Sequence, residues 1–102
     1  MISVLATIEV ADGRREEFLA IFRELVPKVR AEEGCIEYGP WIDLPTTISS
    51  QEEPRSNVLV VIEKWESPEA LEAHLIAPHM LEYRKASEGL VKGLELEILE
   101  PA

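Results

Sequence analysis

A carboxylate, an indole and an imidazole fall in one short run of this chain, Glu63-Lys64-Trp65-Glu66-Ser67-Pro68-Glu69-Ala70-Leu71-Glu72-Ala73-His74-Leu75. His74 is the candidate general base. An imidazole titrates near neutrality, and helical spacing puts His74 with Ala70 and Leu71 on the buried stripe, away from Glu69 and Glu72. The competing reading is a core histidine hydrogen-bonded to a carboxylate or carbonyl. Trp65 can stack on an aromatic substrate or fill the core. Glu63 lies two residues away on the same side of its strand, and in an apolar setting it must be paired. It could orient His74, hold a substrate hydroxyl or form an ion pair with an arginine. Tyr38 and Tyr83 are candidate donors to a substrate oxygen, with amphipathic core roles as the alternative. Trp41 is assigned to a pocket mouth or to a contact between subunits. His79 follows Pro78 and reads as the start of a surface helical piece.

Other chemistries find less support. His74 and His79 are five residues apart with Pro78 between them, not the i, i+4 spacing that joins two metal ligands on one helix face. No glycine-rich loop follows a strand. The expectation is therefore no metal and no cofactor. Cys35 is the only cysteine, so an intrachain disulfide is excluded, and with no neighbouring base it reads as a small buried residue. A net charge of -10 argues against nucleic acid and against anionic membrane surfaces. The N-terminus has no basic region ahead of an apolar one, and no apolar run is long enough to span a bilayer, so the cytoplasm is the expected compartment.

The elements that must position these residues emerge from periodicity. Ile2, Val4, Ala6, Ile8 and Val10 alternate with Ser3, Leu5, Thr7 and Glu9, which is a strand. Ala11-Asp12-Gly13 makes a turn, with Asp12 able to cap the next element. Residues 14 to about 32 show helical spacing, with Phe18, Phe22, Leu25, Val26 and Val29 on one stripe. Pro27 predicts a kink or an imperfect turn, and Gly34 a stop. A second strand spans Cys35 to about Leu44, a polar loop runs from Pro45 to Ser56, and Asn57 to Trp65 is a third strand. Ser67 caps a helix with Pro68 at its first position, running to about Ile76. Another helical piece covers about His79 to Ser87, and Gly93 to Glu100 is a last strand. The order β-α-β-β-α-β is the ferredoxin-like arrangement, an α+β fold with an antiparallel four-stranded sheet in a single domain over 1–102. Val58 to Ile62 is apolar on both faces, and Leu5, Thr7 and Leu99 lie opposite the main stripes of their strands. An open sheet face of that character predicts a homodimer with two sheets packed face to face.

Gly34-Cys35-Ile36-Glu37-Tyr38, the run from Glu63 to Leu75 and Pro78-His79 resemble the antibiotic biosynthesis monooxygenase family, the cofactor-independent quinol and anthrone monooxygenases. The resemblance covers nearly the whole chain; its specific part is the Glu-x-Trp-x-Ser/Thr-x-x-Ala-Leu-x-x-His run. It implies a homodimeric α+β barrel with one pocket per subunit between sheet and helices. Its partners would be a small aromatic substrate and molecular oxygen, with neither metal nor flavin. Asp43 to Ser56 departs from the family in being longer and more polar. Dioxygen is a triplet and reacts with closed-shell molecules only when something supplies single electrons; that task usually falls to a metal or flavin. A deprotonated quinol or anthrone can supply them itself, so the protein needs a base, an apolar pocket and groups that orient the ring. His74 is then the base, with Glu63, Trp65, Tyr38, Trp41 and Tyr83 around the substrate. Two rivals are a non-catalytic dimeric module that binds a hydrophobic metabolite, and a haem-degrading relative. The latter uses an asparagine in the first strand, and Ser3 to Val10 contains none.

Overall fold

A computed structural model describes Met1–Ala102. Its elements are β1 (Ile2–Val10), α1 (Arg15–Arg30), β2 (Cys35–Trp41), β3 (Val58–Trp65), α2 (Pro68–Leu75), α3 (Pro78–Ala86) and β4 (Val91–Leu99). The sheet has the order β2-β3-β1-β4 with every neighbouring pair antiparallel. This is the ferredoxin-like arrangement, with the second helical segment divided in two. No helix is long and apolar enough to cross a membrane.

Pairing register decides which side chains share a face. Val4 lies opposite Glu63 and Ile98, and Glu63 lies opposite Tyr38, so Tyr38, Glu63, Val4 and Ile98 form one row across the sheet. That row faces the helices. Val4, Ala6, Ile8 and Val10 of β1 and Leu59, Val61 and Trp65 of β3 are buried against Phe18, Phe22, Leu25, Val26 and Val29 of α1. Phe22 stacks on Tyr38 at 5.7 Å and meets Tyr83 edge-on at 5.6 Å, which locks α1, β2 and α3 together. The helices stop short of β4. Leu94, Leu96 and Ile98 lie on the helix-facing side by register, yet they stay exposed.

Several boundaries differ from the sequence reading. Helix α1 continues through Pro27 and ends at Arg30. Asp12 does not cap it: Arg14 is the N-cap residue, and Asp12 Oδ1 instead accepts a hydrogen bond from Asn57 Nδ2. Strand β2 ends at Trp41, the last residue paired with β3. The loop after it is held at its base, where Arg55 donates through its backbone N–H and its guanidinium to the Asp43 carboxylate. Pro78 opens α3 instead of merely separating two helical pieces.

Gly34 ties the α1–β2 turn to α2. Its φ of +84° suits glycine, and a Cβ there would lie 2.6 Å from Ala70 Cβ. The Glu66 N–H donates to the Gly34 carbonyl at 2.9 Å. The segment carrying Glu32 is thereby held against the helix carrying His74.

Candidate active site

Strand β3 delivers Glu63 and Trp65 to the helix-facing side, and the chain turns at once into α2. Ser67 Oγ accepts from the Ala70 N–H at 3.2 Å, and Pro68 occupies the first turn. Helix α2 therefore starts in fixed register, with Leu71 and His74 buried one turn apart. The helix ends after Leu75 and α3 begins at Pro78. This break brings His79 back toward His74, although their spacing could never share the face of an unbroken helix.

Glu32, just beyond α1, receives both imidazoles. His74 Nδ1 lies 2.8 Å and His79 Nε2 2.7 Å from Glu32 Oε2. A carboxylate offers only acceptors, so His74 carries its proton on Nδ1 and His79 on Nε2. His74 Nε2 is left as a lone pair. It has no partner within the protein, yet no buried side-chain polar atom lacks one. His74 also lines the main cavity, so Nε2 opens onto that cavity. The ring is fixed by Trp65, with centroids 4.7 Å apart, and by Tyr38 at 5.4 Å. Burial lowers the His74 pKa below the ordinary imidazole value, outweighing the hydrogen bond and charge of Glu32, which act the other way. His74 is therefore a neutral base at neutral pH.

Glu63 is displaced in the opposite sense. Burial pushes its carboxyl up to about 7, against the hydrogen bond from Trp65 and with a further push from the Glu32 charge. Its Oε1 accepts from Trp65 Nε1–H at 2.9 Å. No arginine pairs with it, and Glu32, not Glu63, orients His74. Burial also raises both phenols, Tyr83 to about 12 and Tyr38 further, so each remains a hydrogen-bond donor near neutrality.

The cavity holds about 420 Å³ and lies between sheet and helices, within the roughly 300–1,000 Å³ typical of small-molecule sites. Tyr38, Glu63, His74 and Tyr83 converge on it, and apolar residues from β1, β3, β4 and α3 form its walls. Two of the candidate substrate-binding residues, Trp65 and Trp41, do not line the cavity. Trp65 is fully buried behind His74 and Glu63 and does not line the cavity. Trp41 pairs with Val60 on the opposite sheet face, where it is exposed. His79, expected at the surface, is half-buried on Glu32. Burial and the nearby Glu32 and Glu63 charges raise the Cys35 thiol, which fits an unreactive residue.

Glu32 and Arg84 were missed by sequence reasoning. Arg84 is the cation among the lining residues, held by a 2.7 Å bond from Nη2 to the Leu75 carbonyl. Nothing local separates Glu32 from Glu33 beside it. The one available signal was that a buried histidine requires a partner.

An α+β ferredoxin-like domain with a neutral imidazole and a raised carboxyl facing one apolar cavity is the class that fold and site define. The chain belongs to the antibiotic biosynthesis monooxygenase family, whose profile matches residues 1–86. It is 40% identical over 103 aligned residues to the Escherichia coli (strain K12) protein named "Probable quinol monooxygenase YgiN", spanning 99% of this chain and 98% of that one. Among solved structures it is similar to PA3566 from Pseudomonas aeruginosa, with TM-score 0.80 and 29% identity over 99% of this chain and 93% of that one. A conserved protein from Methanosarcina mazei Go1 is also similar, with TM-score 0.80 and 29% identity over 99% and 92% of the two chains.

Proposed function

We propose that this protein is a monooxygenase that oxidises a quinol-like or polyketide-like aromatic with molecular oxygen, using electrons from the substrate itself. The observation that supports this most is the opposed pair in one cavity: His74 holds a free lone pair, and Glu63 keeps its proton up to about pH 7. Groups whose environments drive their pKa values apart are matched to base and acid roles. His74 Nε2 takes the proton of a substrate hydroxyl, or of the enol form of an anthrone. The anion passes one electron to dioxygen, and the substrate radical and superoxide combine into a carbon-bound peroxide. Loss of water, with a proton from Glu63, leaves one oxygen atom on carbon. For an anthrone methylene the sum is CH2 + O2 → C=O + H2O. Tyr38 and Tyr83 donate to ring oxygens, and Arg84 offsets the charge of the anion.

The active form is a homodimer. Leu5, Val60 and Ile62 are only partly covered on the outer sheet face, and Trp41 lies exposed beside them. A second sheet laid over this patch gives Trp41 its contact. The unpaired Cys35 thiol fits the reducing cytoplasm. The test is oxygen uptake by chelator-treated protein across a panel of naphthoquinols and anthrones. One dioxygen consumed per product, with no product under argon, supports the reading. Tight binding of these aromatics with no uptake would assign the cavity to a non-catalytic module.

A further inference from the structure

Glu32, His74 and His79 bring three potential ligand atoms within 4.8 Å of one another. They come from three separate segments: the turn after α1, helix α2 and helix α3. Two imidazoles and a carboxylate form a set that binds first-row divalent metals, and all three side chains are largely withdrawn from water. The two nitrogens already lie 2.8 and 2.7 Å from Glu32 Oε2. Metal–ligand bonds of about 2.0–2.2 Å need only small side-chain adjustments to enclose an ion among them. His79 and Glu32 retain 21% and 14% side-chain exposure, which leaves an ion a path in from the surface.

We propose that these three residues form a binding site for a divalent transition-metal cation of the zinc type, and that its occupancy switches off the cavity-facing nitrogen of His74. Of the three, only His74 lines the cavity. An ion held on Nδ1 is therefore screened from the substrate by the imidazole ring and makes no contact with the reacting atoms. Its effect runs through the tautomer. To coordinate through Nδ1, the neutral ring moves its proton to Nε2, the nitrogen that opens onto the cavity. The base becomes a donor, and Glu32 is drawn from the imidazole N–H groups to the metal. Metal binding and proton abstraction by His74 then exclude each other. This last step rests on His74 being the base; the site itself does not.

The site and the switch are tested separately from turnover. Zn2+ is titrated calorimetrically into chelator-treated protein, and long-range 1H–15N spectra of histidine-labelled protein report the tautomers. The expected result is saturation at one ion per chain, with His74 passing from the Nδ1–H to the Nε2–H form. Affinity falls at least 10-fold in both His79→Gln and Glu32→Gln, with far-UV circular dichroism confirming that each is folded. Absence of saturable binding overturns the proposal, as does binding that leaves both histidine spectra unmoved or is undiminished in the folded variants. If neither variant folds, the wild-type spectra decide alone. Because no reading depends on substrate, the proposed oxygenase activity can fail while the metal site stands, and the reverse.

Discussion

Burial acts on the two acid–base side chains of the cavity in opposite directions, and this determines their behaviour with pH. The Glu63 carboxyl is raised from an ordinary 4.5 to about 7. The folded state therefore holds a proton that the unfolded chain has released between those values, and stability falls as pH rises through that window. At full effect the cost is roughly 3 kcal/mol above pH 7. Glu63→Gln keeps an acceptor for Trp65 and cannot ionise. Urea denaturation should find it as stable as wild type near pH 4 and more stable by up to roughly 3 kcal/mol at pH 8. Catalysis should show a bell-shaped kcat/KM profile. Its acid limb reports protonation of His74 below the ordinary imidazole range, and its alkaline limb reports loss of the Glu63 proton near 7. In Glu63→Gln the alkaline limb should flatten. At this scale the inward placement of Glu63 and His74 was legible, because residue type and strand and helix phase are local properties. Glu32 was not, because its bond to His74 links positions 42 apart in the chain and nothing beside it marks that contact. For the two tryptophans the sequence left two readings each, and register separates them: Trp65 fills the core behind the site, and Trp41 lies on the other sheet face.

Elements rather than single contacts hold the His74 ring in place. Ser67 sets the start of α2, and its removal in Ser67→Ala should cost about 1 kcal/mol in chemical denaturation. The close approach at Gly34 is more demanding. Gly34→Ala adds a Cβ 2.6 Å from Ala70 in a backbone conformation with φ +84°. It should lose about 1–3 kcal/mol of stability and loosen the Glu32–His74 bond, moving the acid limb of the activity profile as well as the denaturation midpoint. A change in midpoint with an unmoved acid limb would separate Gly34 from the site. Most elements were legible from period-two and helical spacing, capping by Ser67 and stops at glycine. The divided helix was read as an interruption at Pro78, but its consequence was not. Periodicity describes each helix alone, whereas the meeting of His79 with Glu32 depends on the angle between α2 and α3.

The whole molecule has two unequal sheet faces, and only one is covered by its own helices. Leu5, Val60, Ile62 and Trp41 are the outer-face residues that the proposed second copy would cover, while Leu94 and Leu96 leave the cavity open along β4. Sedimentation equilibrium at micromolar concentration should give a dimer, and Trp41→Glu should shift it toward monomer without changing the circular dichroism of the fold. The open face was legible as strands apolar on both sides. The open edge of the cavity was not, since alternation along the last strand tells which residues share a face but not how far the helices reach across it. In the proposed function, one event carries the rest: the removal of a proton by His74 that starts oxygen chemistry. The most direct measurement is the initial rate of oxygen uptake with a turned-over quinol, comparing chelator-treated wild type with folded His74→Ala. The predicted result is a fall of about 10²–10⁴-fold in kcat/KM, and a rate equal to wild type would contradict it.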